Sequence, residues 1–141
     1  MRNYNLNYFV AKGYSFALIK NNKIFYKSQG RGLKPLVFCL RKYSAKGGVA
    51  ADEKKEMRGA MIYDKIVGLA AAMLLASAKV KKIQTLIISQ RAKKYLVKNR
   101  IEVIYEKEVK NIMNENKTDL CGMEKLAAEK GLRGLREFWK I

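Results

Sequence analysis

The sequence predicts an α/β fold, a three-layer α/β/α sandwich built on a five-stranded mixed sheet that opens with a β-hairpin. Three observations carry this expectation. Short runs rich in Val, Ile, Phe and Tyr alternate with segments of helical spacing, the pattern of a sheet with helices packed on its faces. Two such runs, Tyr14–Lys20 and Lys23–Ser28, flank Asn21-Asn22, a dipeptide that tolerates the positive φ of a tight hairpin turn. From Ile66 to Ala78 the chain carries no charge. A helix apolar around its whole circumference must be covered on every side, yet this one falls short of the roughly 20 residues that span a bilayer. It is expected to be central and buried, with Gly68, Ala70, Ala71 and Ala72 allowing close approach to the sheet.

Taken in order, residues 1–12 read as a short amphipathic lead-in with Leu6, Tyr8, Phe9 and Val10. After the hairpin, Gln29–Gly32 is a loop, and Pro35 suits the first turn of a helix over about 33–43 because its missing N–H has no partner there. Leu36, Val37 and Leu40 give that helix its apolar face. Ser44–Arg58, with a Gly-Gly pair and a charge cluster, reads as a loop with a short helical piece and as the segment most open to motion. Gly59–Tyr63 is a third strand, and Asp64 is positioned to cap the central helix. Lys82–Ile88 is a fourth strand, apolar enough to be buried on both faces, and Ser89 is the N-cap of a helix over QRAKKYLVKN. Ile101–Tyr105 is a fifth strand, followed by a short polar helix around Glu108–Met113 and an Asn-rich loop. A last helix begins near 120–123 and breaks at Gly131.

The chain of 141 residues suits one domain, 1–141. Two cysteines, Cys39 and Cys121, make no disulfide framework, and no stretch resembles a signal peptide or a membrane span, so a soluble, cytoplasmic protein is expected. The net charge of +18 is unevenly spread: residues 1–50 hold ten Lys or Arg and no acid, 51–100 twelve against four, and 101–141 eight against eight. Such a field draws anions, whether nucleic acid, nucleotides or smaller molecules, toward the N-terminal two-thirds. Solvated lysines alone also explain it. Histidine is absent, which excludes Ser/His and Cys/His nucleophilic pairs and any zinc site with an imidazole ligand.

A hairpin, a helix, then strand-helix-strand-helix-strand is the layout of the cytidine deaminase-like fold. The segments FALIKNNKIFYKSQGRGLKPL, YDKIVGLAAAMLLASAKV and DLCGMEKLA, in this order and spacing, resemble a small prokaryotic family numbered 1893 among the domains of unknown function. The resemblance covers about 15–130 and implies that fold and no established activity. Zinc deaminases place H-x-E at the start of the central helix and P-C-x-x-C before the next. This chain has Asp64-Lys65-Ile66 and Ser89-Gln90-Arg91-Ala92 at those places. Neither the zinc ligands nor the proton-shuttling Glu is present, so zinc-dependent deamination is not expected.

The candidate site residues follow from position. In open α/β sheets ligands bind beyond the carboxyl ends of the parallel strands, which here are Asp64-Lys65 and Ser89-Arg91. Gly30, Arg31 and Gly32 form a loop able to offer backbone amides and a guanidinium to a phosphate, or a plain turn into the helix. Cations in the first turn after Ser89 oppose the helix macrodipole, a conflict that a bound anion resolves. Cys121 opens the last helix, where a thiol's pKa falls; it reads as a redox thiol, a weak nucleophile or a small packed residue. Cys39 reads as core. Phe138 and Trp139 dock the tail or form a partner surface. Three functions remain open: a non-deaminating binder of a nucleotide or phosphate-bearing small molecule, a nucleic-acid-binding protein using its basic part, and an enzyme using Cys121 or Lys65. No cofactor, metal or membrane is expected, and homo-oligomerisation is left open.

Overall fold

The computed structural model describes residues 4–44, 56–114, 116 and 119–141. Its elements are α1 (Leu6–Ala11), β1 (Phe16–Lys20), β2 (Lys23–Ser28), α2 (Lys34–Tyr43), β3 (Met61–Asp64), β4 (Ile66–Val67), α3 (Leu69–Ser77), β5 (Lys82–Ser89), α4 (Gln90–Lys98), β6 (Glu102–Val109) and α5 (Gly122–Trp139). β1 pairs antiparallel with β2 and β3, and β5 pairs parallel with β3, β4 and β6. Met61 stands opposite Lys82 and Ile66 opposite Ile87, one constant register. β3 and β4 are therefore two halves of a single strand interrupted at Lys65. The mixed sheet then has the five positions expected, in the order β2, β1, β3/β4, β5, β6.

Asn21 and Asn22 adopt φ of 53° and 59°, as a two-residue hairpin turn requires. α2 presents Leu36, Val37, Cys39 and Leu40 inward, and burial pushes the Cys39 thiol up to about 12. α3 is covered on nearly all sides, with Leu74 and Leu75 fully enclosed between the sheet and helices α4 and α5. Gly131, at φ 62° and ψ −159°, breaks α5 where the sequence places the break. No helix among the described residues is long and apolar enough to cross a membrane.

The helices divide unevenly between the two faces. α2, α3, α4 and α5 share one core with Phe16, Leu18, Ile62, Ile83 and Ile88 of the sheet. The other face is covered by α1, whose Leu6 and Phe9 pack with Ala17, Ile19 and Tyr63. Phe9 stacks on Tyr63 with centroids 5.0 Å apart, and the Leu6 N–H donates to Gln84 Oε1 at 2.8 Å. The lead-in is thus a short helix, begun by Asn5, whose side chain accepts from the Tyr8 N–H at 3.0 Å.

Two elements differ from expectation. Asp64 does not begin the central helix; the strand continues through β4, and Gly68 is the N-cap of α3. The polar helix expected around Glu108–Met113 does not form: β6 keeps pairing with β5 as far as Val109 opposite Ser89. Cross-strand pairing there overrides the local polarity, as it does on an exposed edge strand. The Ser44–Arg58 loop, with its expected helical piece and mobility, lies outside the described residues apart from its ends.

The interruption at Lys65 changes which face the strand presents. Ile62 and Val67, and likewise Ile83 and Ile88, are five residues apart yet pack in the same core. Regular alternation sends residues an odd number apart to opposite faces, so both strands shift phase in passing. The Lys65 carbonyl accepts from the Ile87 N–H at 3.2 Å, and the Thr85 hydroxyl lies 3.2 Å from that carbonyl and 3.0 Å from that of Ile87. Asp64 sits at the edge of this shift.

Candidate functional site

A cleft of about 460 Å³ opens where β3 ends. Its walls come from the Gly13–Ser15 turn, the Gly30–Leu33 loop, Asp64–Ile66, the first residues of α3, Ile112 and the start of α5. Ser15 ties three of these together. Its N–H donates to Ser28 O at 2.8 Å, its hydroxyl donates to Gly30 O at 2.6 Å, and its carbonyl accepts from the Lys65 N–H at 2.9 Å. The loop after β2 is closed further by the Gly30 N–H on Ser28 Oγ at 2.9 Å, and by Gly32 at φ 61°, where glycine is favoured.

The floor carries an acid. Asp64 is 8% exposed, and burial holds its carboxyl well above the usual carboxylate range, against the opposing effect of a hydrogen bond from the Ile66 N–H. That bond spans the interruption at Lys65, so Asp64 does satisfy a backbone donor, but within its own strand and not in the helix. No Lys or Arg pairs with it among the described residues. The cations of this site, Arg31 and Lys65, lie exposed at the mouth. The rest of the lining is mostly apolar, with Leu33, Ile66, Ala70, Ala71, Ile112 and Met123 among it.

The first amides of α3 are satisfied from far along the chain. Glu124, in the first turn of α5 and 8% exposed, accepts from the Leu69 N–H at 2.9 Å and the Ala70 N–H at 3.3 Å. A carboxylate there meets both the free donors and the positive end of the macrodipole. The approach is close enough that a Cβ on Gly68 would stand 2.0 Å from Glu124 Oε1. Gly68 is therefore needed for lack of a side chain.

Of the sequence-predicted site residues, Asp64, Lys65, Gly30, Arg31, Gly32 and Cys121 line this one cleft. Ser89 and Arg91 lie outside its lining. Ser89 is buried and its hydroxyl accepts from the Ala92 N–H at 3.1 Å, as expected of an N-cap, while Arg91 is exposed. Among the described residues no three His, Cys, Asp or Glu side chains gather as a metal site would require.

The model of a family described as a domain of unknown function, DUF1893, matches residues 5–139. The chain belongs to the DUF1893 family. A crystal structure of a DUF1893 family protein from Thermotoga maritima is similar to it with a TM-score of 0.76 and 24% identity, over 96% of this chain and 85% of that one. At that identity the likeness speaks for the fold. Among curated proteins none matches. In this DUF1893 chain the sequence points to Asp64, Lys65, the Gly30–Gly32 loop and Cys121 but misses Glu124 and Ser15, and it assigns the close approach at Gly68 to the sheet where the neighbour is Glu124. Nothing local marks Glu124, because its partners are about 55 positions away; Gly68, inside an otherwise unbroken apolar run, was the one available hint of a close approach.

Proposed function

We propose that the cleft binds a small anionic ligand of the nucleotide class without deaminating it. The observation that carries this reading is Asp64, a buried, cation-free carboxyl on the floor of a cleft whose mouth holds Arg31 and Lys65. Burial favours the neutral form of that carboxyl, which presents a donor beside an acceptor. That pair complements the amide or amidine edge of a base. The exposed cations and the amides of the Gly30–Gly32 loop suit a phosphate at the mouth. The apolar part of the lining offers a surface for a ring.

We read the architecture as cytidine deaminase-like, from the order hairpin, α2, β3/β4, α3, β5, α4, β6. In that arrangement the start of α3 is the place for zinc chemistry, and here Gly68 and the carboxylate of Glu124 occupy it. Binding without zinc-assisted hydrolysis follows from those residue types.

Thermal unfolding with a nucleoside monophosphate series, the matching nucleosides and inorganic phosphate tests the reading. At a hundred times its dissociation constant a ligand of the folded state adds about 2.7 kcal/mol. The nucleotide is expected to raise Tm more than its nucleoside does. Arg31→Ala with Lys65→Ala should abolish that difference, and Asp64→Ala should remove the shift that nucleoside and nucleotide share. Asp64→Asn, which keeps a donor and an acceptor, should retain it. No shift from any of these compounds, or one indifferent to all these variants, refutes the reading.

A further inference from the structure

We propose that the outer surface of α2 and the edge strand β2 form a second site, independent of the cleft, that binds single-stranded nucleic acid without sequence preference. α2 turns its apolar face fully inward, so Phe38 is not needed for the core, yet it stands 47% exposed. It shares the outer stripe of the helix with the exposed Lys34, Arg41 and Lys42, four, three and four positions away. Its ring stacks on Tyr26 of β2 with centroids 4.9 Å apart and planes 28° from parallel. Phe25 and Tyr43 meet beside them, 6.3 Å apart and edge to face.

Cations accompany these rings. Lys42 Nζ lies 6.0 Å from the Phe38 centroid and 5.4 Å from that of Tyr43, and Lys23 Nζ lies 5.1 Å from that of Phe25. No Asp or Glu occurs on either element, since residues 1–50 contain none. Two elements without an acid, with the exposed Phe38 ring between lysines, match a strand of stacked bases and phosphates, and every base has a face to stack. A duplex keeps its bases inside and gains only the charge. An acidic protein partner would use the lysines but not the flat face of Phe38.

Fluorescence anisotropy of labelled oligo-dT and oligo-rU, with a hairpin duplex of equal length, tests this on the full chain. Single strands of either sugar are expected to bind more tightly than the duplex. Three neutralised phosphates would give a salt slope of about −2, roughly a 16-fold loss of affinity from 50 to 200 mM salt. Phe38→Ala should weaken single-strand binding about tenfold, in the range measured for loss of one base stack, with Tm unchanged. Phe38→Leu, which keeps the apolar bulk without the ring, should weaken it comparably. Lys34→Ala should reduce the slope by about 0.7, whereas Lys94→Ala on α4 should leave binding as it was. Equal affinity for duplex and single strand, or binding unaffected by both Phe38 variants, overturns the proposal. A concentration-dependent dimer that Phe38→Ala abolishes, with no oligonucleotide bound at low salt, assigns the surface to a second copy instead and equally overturns it.

Discussion

The two strand-to-helix corners of the parallel part of the sheet solve one problem in opposite ways. At the β5–α4 corner the helix is closed by its own preceding residue, Ser89, whose oxygen takes the Ala92 N–H. At the β4–α3 corner the cap position holds Gly68, and the carboxylate arrives from α5, across about 55 residues. A local cap consumes the polar group that stands at the end of the strand. At the other corner Gly68, level with Ser89 in the register of β4 and β5, offers no side chain, and Asp64, four residues earlier at the end of β3, lines the cleft and accepts from the Ile66 N–H of its own strand. The corner that borrows its cap is also the corner that keeps a buried acid at its cleft.

The largest effect that would sharpen this contrast is expected from Glu124→Ala. Two amides lose a charged acceptor, and α3 and α5 lose their link at the cleft, for about 3 kcal/mol of stability. Glu124→Gln, which still offers an acceptor, should recover part of it. Denaturant midpoints measure both, and a Glu124→Ala cost no greater than that of losing a local cap would mean that the remote carboxylate has no special weight. Asp64→Asn comes next and has the opposite sign. The folded-state pKa of Asp64 lies above its unfolded value of 3.8. Between the two, the native state binds more protons than the unfolded one, so stability falls as pH rises through that window and then levels off. The asparagine variant lacks this fall. It should be more stable than the unchanged chain at neutral pH, with the advantage vanishing below pH 3.8; melting curves across this range that stay parallel for the two proteins would show Asp64 to be solvated like any surface acid. Smallest is Ser89→Ala, which should cost about 1 kcal/mol, as a lost side-chain cap does, with ligand binding at the cleft unchanged.

The hairpin, the buried helix and the Ser89 cap were readable because each is decided by neighbours in sequence: an Asn-Asn turn, an uninterrupted apolar run, a serine before a helix. The start of α3 was not, because Asp64 satisfies the local rule for a cap while the fold has a stronger, distant carboxylate. β6 ran past its predicted end for a related reason, since β5 supplies paired backbone as far as Ser89 whatever side chains β6 carries. The cleft followed the same division. Residues whose chemistry shows in their immediate context, such as Gly30-Arg31-Gly32 and Asp64-Lys65, were found. Glu124 and Ser15 act through partners that only the folded chain brings close.

A helix of six residues has no independent existence in water, because nucleation costs more than so few hydrogen bonds return. α1 is ordered by what it rests on: Tyr63 beneath Phe9, and Gln84, 78 positions later, holding the Leu6 N–H. It precedes the sheet in sequence yet depends on β3 and β5 for the contacts that hold it. One whole layer of the sandwich is in this sense conditional on the sheet beneath it. Its undocking leaves Ala17, Ile19 and Tyr63 bare on the sheet while the core under α3 stays closed, so the two faces of one sheet are set to open at different free energies.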